Sequence, residues 1–248
     1  MGHEVYETLA ISLIRKLKRT ASVSVDAQIG QPGNDVVSGR IMPGRADGNE
    51  SELYAHRILD RIVRHCDYLF DLHTASFGRV NTHYVRCDTS SPTALRLASV
   101  LGPQIVLHSP NTDGTLRGAA AERGTHAITV EIGDPQRIQG RLVRSAVSGL
   151  TEALSELGLL APTSTAPTDE PIHCVRSSWM YTDRGGLLSV SAELGARVAE
   201  GEVVATLRNA WGDIVRRYRA PEDGVVIGKS TNPAAGAGSR IVHLGIEG

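Results

Sequence analysis

Through its first 158 residues the chain switches repeatedly between two hydrophobic periods, and that alternation limits the folds open to it. Leu9, Ala10, Leu13, Ile14 and Leu17 recur at helical spacing, and the cations Arg15, Lys16, Lys18 and Arg19 gather where a helix C-terminus favours them. This predicts a helix over 4–18. Ser22-Val23-Ser24-Val25 alternates as a short strand. Gly30, Pro32, Gly33, Gly39, Pro43, Gly44 and Gly48 mark residues 30–48 as a loop. Leu53, Ile58, Ile62 and Val63 predict a helix over 50–65. Strands follow at 68–72, 83–87, 104–107 and 127–132, with helices at 92–101 and 138–158. Strands alternating with helices indicate α/β architecture with a largely parallel sheet.

The character changes after Gly158. Residues 161–171 are rich in Pro, Thr, Ser and Ala, without periodicity, and read as a linker. Beyond them lie short β-like runs at 187–190, 203–207, 215–218, 225–227 and 241–244, separated by Gly-rich turns. That spacing suggests a small β-barrel or sandwich. The expected organisation is an α/β domain over 1–161, a linker over 162–171 and a β-rich domain over 172–248.

Charge narrows the range of partners. The formal net charge is −1 over 248 residues, which leaves no electrostatic footprint for nucleic acid or an anionic membrane. No apolar stretch is long enough to span a bilayer, and residues 1–20 do not show a secretory signal. Cys66, Cys87 and Cys174 are widely and irregularly spaced, as expected of free thiols in a reducing compartment. A cytoplasmic protein is therefore expected, with homo-oligomerisation left open. Aromatic residues make up only 4% of the chain, so its core must be built from Val, Leu, Ile and Ala.

Two polar residues sit where apolar ones are expected. The run Tyr68-Leu69-Phe70 ends in Asp71-Leu72-His73-Thr74, and Glu131 lies inside Ala127-Ile128-Thr129-Val130-Glu131-Ile132. A buried carboxylate is costly unless it meets a metal, a cation or a proton to move. One reading is a metal-hydrolase site. The other is a satisfied core histidine and a Glu paired with an Arg, and the two pieces alone weight these evenly. Asp71 and His73 lie two apart in a strand and so share a face, which suits an Asp that orients the His. His83, His108 and His126 read as pocket-lining or, more often for such residues, as ordinary surface or core histidines, and no thiol has the partners of a nucleophile.

Further motifs accompany these two: Gly2-His3-Glu4, Arg40-Ile41-Met42-Pro43-Gly44-Arg45, Asp113-Gly114-Thr115-Leu116-Arg117-Gly118, and Glu131-Ile132-Gly133 at the end of its strand. In this order and spacing, followed by a β-rich tail, the chain resembles the succinylglutamate desuccinylase/aspartoacylase family of zinc carboxypeptidase-like deacylases. The resemblance implies an α/β/α domain with a mostly parallel mixed sheet. It implies one zinc ion per chain, held by Glu4, His73 and a further His, with an open fourth position. It makes Glu131 the general base and Arg40 the ligand of a substrate carboxylate, with Arg117 a second candidate for that job. The implied substrate is a small N-acylated amino acid or related carboxylate.

The chain departs from the family pattern at its start. The family's H-x-x-E motif would place the first ligand His at Met1, and Val37-Ser38-Gly39-Arg40 stands where the family has D-L-N-R. A chain that begins too late is the favoured explanation. The others are a non-catalytic relative that keeps an anion pocket on Arg40 and Arg117, or substitution by His3.

Overall fold

A computed structural model describes residues 41–111, 114–135, 137–162 and 169–248, together with the backbone of 21–25. The helix expected over 4–18, and with it Glu4 and Arg40, lies outside the described residues.

A nine-stranded sheet runs through the molecule in the order β1-β2-β5-β3-β4-β6-β13-β11-β8. In its first half β1 (Ala21–Val25), β2 (Tyr68–His73) and β5 (His126–Gly133) are parallel. β3 (Arg79–Cys87) runs antiparallel to β5 and parallel to β4 (Ile105–His108), so the sheet is mixed. Among the described residues four α-helices cover it: α1 (Glu50–Arg61), α2 (Pro92–Val100), α3 (Leu116–Ala121) and α4 (Gly140–Glu156). On one face Phe70, Val85, Ile128 and Val130 pack against Leu97 and Ala98 of α2 and Leu150 and Ala153 of α4. On the other, Leu69 and Ala127 meet Leu59 of α1 and Ala119 and Ala120 of α3. This is a three-layer α/β/α arrangement, made possible by strands that are apolar on both faces. The helices begin on local signals. Asn49 and Glu52 form a reciprocal cap at α1, and Ser91 caps α2 ahead of Pro92.

The strand predicted at 83–87 begins four residues earlier, at Arg79. The sequence pattern does not announce α3, because six residues are too few to show a helical period. Nor does it announce β6 (Ile172–Tyr181), in which His173, Arg176, Ser177 and Ser178 interrupt the apolar pattern.

The expected barrel closes in an unexpected way. β4 pairs with β6 in parallel, β6 with β13 (Arg240–Glu247), β13 with β11 (Gly224–Ser230), and β11 returns to β3. These pairings make a closed five-stranded ring, β3-β4-β6-β13-β11. Two of its strands therefore come from the first half of the chain. Tyr84, Ile105, Leu107, Cys174, Val225 and Ile227 fill it. A separate antiparallel sheet, β10-β9-β7-β12, comprises β7 (Gly186–Val190), β9 (Val203–Arg208), β10 (Ile214–Arg219) and β12 (Ala234–Ala235). Its Leu188, Val204 and Leu207 share a core with Val226, Ile241 and Leu244 of the barrel. β8 (Arg197–Val198) pairs with β11 at the sheet edge. Among the described residues no disulfide is formed, and Cys87 and Cys174 are buried. Among the described residues no helix is long and apolar enough to cross a membrane.

Closure depends on a close approach at Gly228, where a Cβ would sit 2.4 Å from Asn81 Oδ1 and 3.2 Å from Val80 O. Gly228→Val is expected to separate β11 from β3 and lower the unfolding free energy by about 1–3 kcal/mol, read as a lower urea midpoint. An unchanged midpoint would show that the approach is not tight. Two buried histidines add a pH dependence. Burial lowers the pKa of His83 to about 4, and that of His243 to about 3 with help from the Arg86 and Arg240 charges. The unfolded chain, with His near 6.5, binds protons that the fold rejects. Stability should therefore fall as pH drops below about 6.5, by roughly 2–4 kcal/mol between pH 7.5 and 5. Denaturant titrations giving equal stability at the two pH values would contradict this.

Candidate functional site

Strand register assembles the site. His73 at the end of β2 lies opposite Glu131 on β5, and Glu131 lies opposite Tyr84 on β3. One row below, Asp71, Thr129 and Arg86 are likewise in register. Residues two apart on a strand share a face, so both rows project from the same side of the sheet. The rows lie at the carboxyl ends of the parallel strands β2 and β5, where open α/β sheets place their ligands.

Each row is tied together by side-chain contacts. His73 Nε2 lies 3.0 Å from Oδ2 of the buried Asp71. Asn81 Nδ2 donates to Glu131 Oε2 at 3.1 Å. Arg86 donates through Nε and Nη2 to the Tyr84 hydroxyl, at 3.2 and 3.1 Å. Gly133 ends β5 with a φ of 65°, a conformation that L side chains rarely adopt, and its carbonyl accepts the Ala75 N–H. That bond joins the loop after β2 to the end of β5 and keeps His73 and Glu131 in step.

Electrostatics set the state of Glu131. Burial raises its pKa above the ordinary carboxylate value. Arg86 and His73 pull it down, Asp71 pushes it up, and the Asn81 hydrogen bond lowers it. Burial also raises the pKa of Tyr84, and the neighbouring Glu131 charge adds to the rise, so the phenol stays protonated.

Of the residues singled out from sequence, the structure brings together His73, Asp71 and Glu131. Arg117 is placed elsewhere. Thr115 caps α3 by accepting the Gly118 N–H, and this turns Arg117 into the core at 1% exposure. There it donates to Ser109 O and Oγ, Pro110 O and Asn111 Oδ1 and braces the loop after β4. His83, His108 and His126 lie outside the rows. His108 contacts Thr89, and His126 packs on Tyr68. Sequence reading does not single out Asn81, Tyr84 or Arg86. The available signal is the alternation of Tyr84 and Arg86 with apolar Val85 and Cys87 in a predicted strand.

The fit to a metal ion is partial. With Nε2 donating to Asp71, the His73 tautomer carries its lone pair on Nδ1, as a metal-binding imidazole backed by a carboxylate does. Among the described residues no three His, Cys, Asp or Glu side chains gather into a metal-holding group. These residues therefore supply one ligand and its orienting carboxylate, and not a complete set.

Comparison with known proteins bears on the fold. Residues 39–157 match the model of the succinylglutamate desuccinylase/aspartoacylase catalytic domain. That match spans 119 of the 248 residues, just under half of the chain. Among solved structures, a family protein from Rhodobacter sphaeroides superposes with a TM-score of 0.78 at 18% identity, covering 90% of this chain and 71% of that one. The apo ectoine utilization protein EutE from Ruegeria pomeroyi gives 0.75 at 21% identity, covering 84% and 69%. An aspartoacylase family protein from Mesorhizobium loti gives 0.68 at 18%, covering 87% and 68%. At these identities the likeness is one of fold, and the chain spans about two thirds of the length of these relatives. No curated protein matches the chain in sequence. The family match includes β2, β3 and β5, so both rows lie within it.

The charge balance at Glu131 can be tested without assuming an activity. Arg86→Gln removes the cation that most favours the ionised carboxylate, so the Glu131 titration followed by carbon-13 NMR should move to higher pH. An unmoved or lowered titration would show that Arg86 does not face Glu131 as described.

Proposed function

We propose that this protein is a zinc-assisted deacylase that hydrolyses the amide bond of a small N-acylated amino acid or related carboxylate. The observation that carries this reading is the row His73–Glu131–Tyr84, with Asp71 behind His73, inside a domain of a family named for deacylases. In this proposal His73 and Glu4 are two of the zinc ligands, and Arg40 holds a substrate carboxylate. When bound, zinc would polarise the acyl carbonyl and acidify the attacking water.

The chain's own residues do the rest. Glu131 takes a proton from the attacking water and delivers it to the leaving nitrogen. A carboxylate with a raised pKa suits both transfers, because it binds the water's proton more readily than an ordinary carboxylate and still yields it to an amine. Asn81 holds one carboxylate oxygen and leaves the other to the proton. Asp71 fixes the tautomer and orientation of His73. Tyr84 accepts two N–H bonds from Arg86, which directs its own proton towards the carboxylate opposite. A cation and a phenol are thereby held beside the reacting group, where negative charge develops on the acyl oxygen.

Glu131→Gln keeps the shape and removes the base. Turnover of N-acyl amino acids by the full chain should fall at least about a hundredfold, with zinc content by elemental analysis unchanged. Undiminished turnover in this variant would overturn the proposal.

A further inference from the structure

A second concentration of positive charge lies at the mouth of the barrel, one strand repeat from Asn81. Arg79 opens β3, Arg240 opens β13, and Trp179 lies on β6. Both guanidinium groups sit over the Trp179 ring, at 5.7 and 5.1 Å from its centroid. His243 stacks on the same indole at 4.7 Å with an interplanar angle of 6°, and its Nε2 is held by Ser177 Oγ at 2.8 Å. The indole is therefore fixed, and two cations from two different strands converge on it across the mouth.

Cation–π attraction accounts for either arginine alone. It does not account for both, since they repel each other. Burial lowers the pKa of Arg79, and Arg240 lowers it further, against an opposing pull from Glu131 and Tyr181. Elsewhere in the β-rich tail Arg176 pairs with Glu222, and Arg197 with Glu247. Among the described residues neither Arg79 nor Arg240 has a carboxylate within ion-pair distance, nor a side-chain hydrogen bond. Two adjacent guanidinium groups without an ion-pair partner, one of them half-buried and within the longer-range pull of Glu131, are arranged for an anion from outside the chain. Their planar donor forks match a carboxylate.

We propose that Arg79, Arg240 and Trp179 form a carboxylate-binding subsite that takes the end of a substrate remote from its reacting amide. The placement relative to the base supports this. Arg79 lies two residues from Asn81 on the same face of β3, and Asn81 holds Glu131. One strand repeat of about 7 Å therefore separates the subsite from the residue that holds the base, a span suited to a short aliphatic chain. With Arg40 assigned to one carboxylate, the subsite makes the preferred substrate at least doubly anionic. This rests on the deacylase reading.

The test reads binding directly and needs no turnover. The chain has two tryptophans, Trp179 and Trp211. In the full chain carrying Trp211→Phe, Trp179 is the sole indole reporter. Titration with glutarate should change its fluorescence saturably, while the uncharged diamide glutaramide at the same concentrations should not. Arg240→Gln, at an exposed position where folding is expected to persist, should weaken glutarate binding at least tenfold. Arg79→Lys, which keeps the charge and loses the fork, should weaken it less. An equal response to glutaramide, an equal response to sodium chloride at matched ionic strength, or unchanged affinity in Arg240→Gln would overturn the subsite. The two proposals fail separately: full turnover in Glu131→Gln removes the deacylase and leaves this titration standing, whereas failure of the titration leaves the loss of turnover standing.

Discussion

The structure depends on β3 being shared. One edge of this strand pairs with β5 and holds Tyr84 opposite Glu131. Its other edge pairs with β4, and its first residues reach across to β11 and close the barrel. Backbone hydrogen bonds in a sheet fix register, and a slip of one residue turns every side chain to the opposite face. The pairings that close the barrel therefore also set which residues of β3 face the site. Asn81 shows the coupling at one residue: its side chain holds Glu131, and its backbone is paired with Gly228. The β-rich half of the chain is thus part of the frame of the site.

Charge organisation follows from that frame. Glu131 is a partly buried carboxylate acted on by the charges of Arg86 and Arg79, with His73 and its partner Asp71 on the adjoining strand. Desolvation favours its neutral form, and the cations favour its ionised form. A group poised between these influences exchanges a proton at little cost. Of these cations Arg79 also faces the barrel mouth, where Arg240 joins it over Trp179. Arg86, Arg79 and Arg240 all project from strands whose mutual register is fixed.

Much of this is legible in the sequence. The strands ending at His73 and Glu131 are readable because each is an apolar run interrupted by a group that is costly to bury. The alternation of strands and helices indicates the layered α/β fold, and the Gly-punctuated tail indicates a small barrel or sandwich. What cannot be read is non-local. Nothing in the stretch Arg79-Val80-Asn81-Thr82 announces a strand, because its pairing with β11 spans roughly 150 residues of chain. Closure of the barrel through β3 and β4 is hidden for the same reason. Tyr84 and Arg86 lie in a predicted strand, but their importance appears only when register sets them opposite Glu131 and Thr129. Arg117 shows the converse: it belongs to a family-like motif, yet the Thr115 cap turns it inward, where carbonyl groups take its donors.

The claim that barrel and site form one framework is tested most directly by native-state amide hydrogen exchange on the full chain in increasing denaturant. If β3 couples them, amides of residues 79–87, 126–133 and 224–230 should exchange through a common opening, with one free energy and one denaturant dependence. If instead the amides of 224–230 exchange through a lower-energy opening that leaves those of 126–133 protected, the two halves are energetically separate and β3 does not couple the barrel to the site.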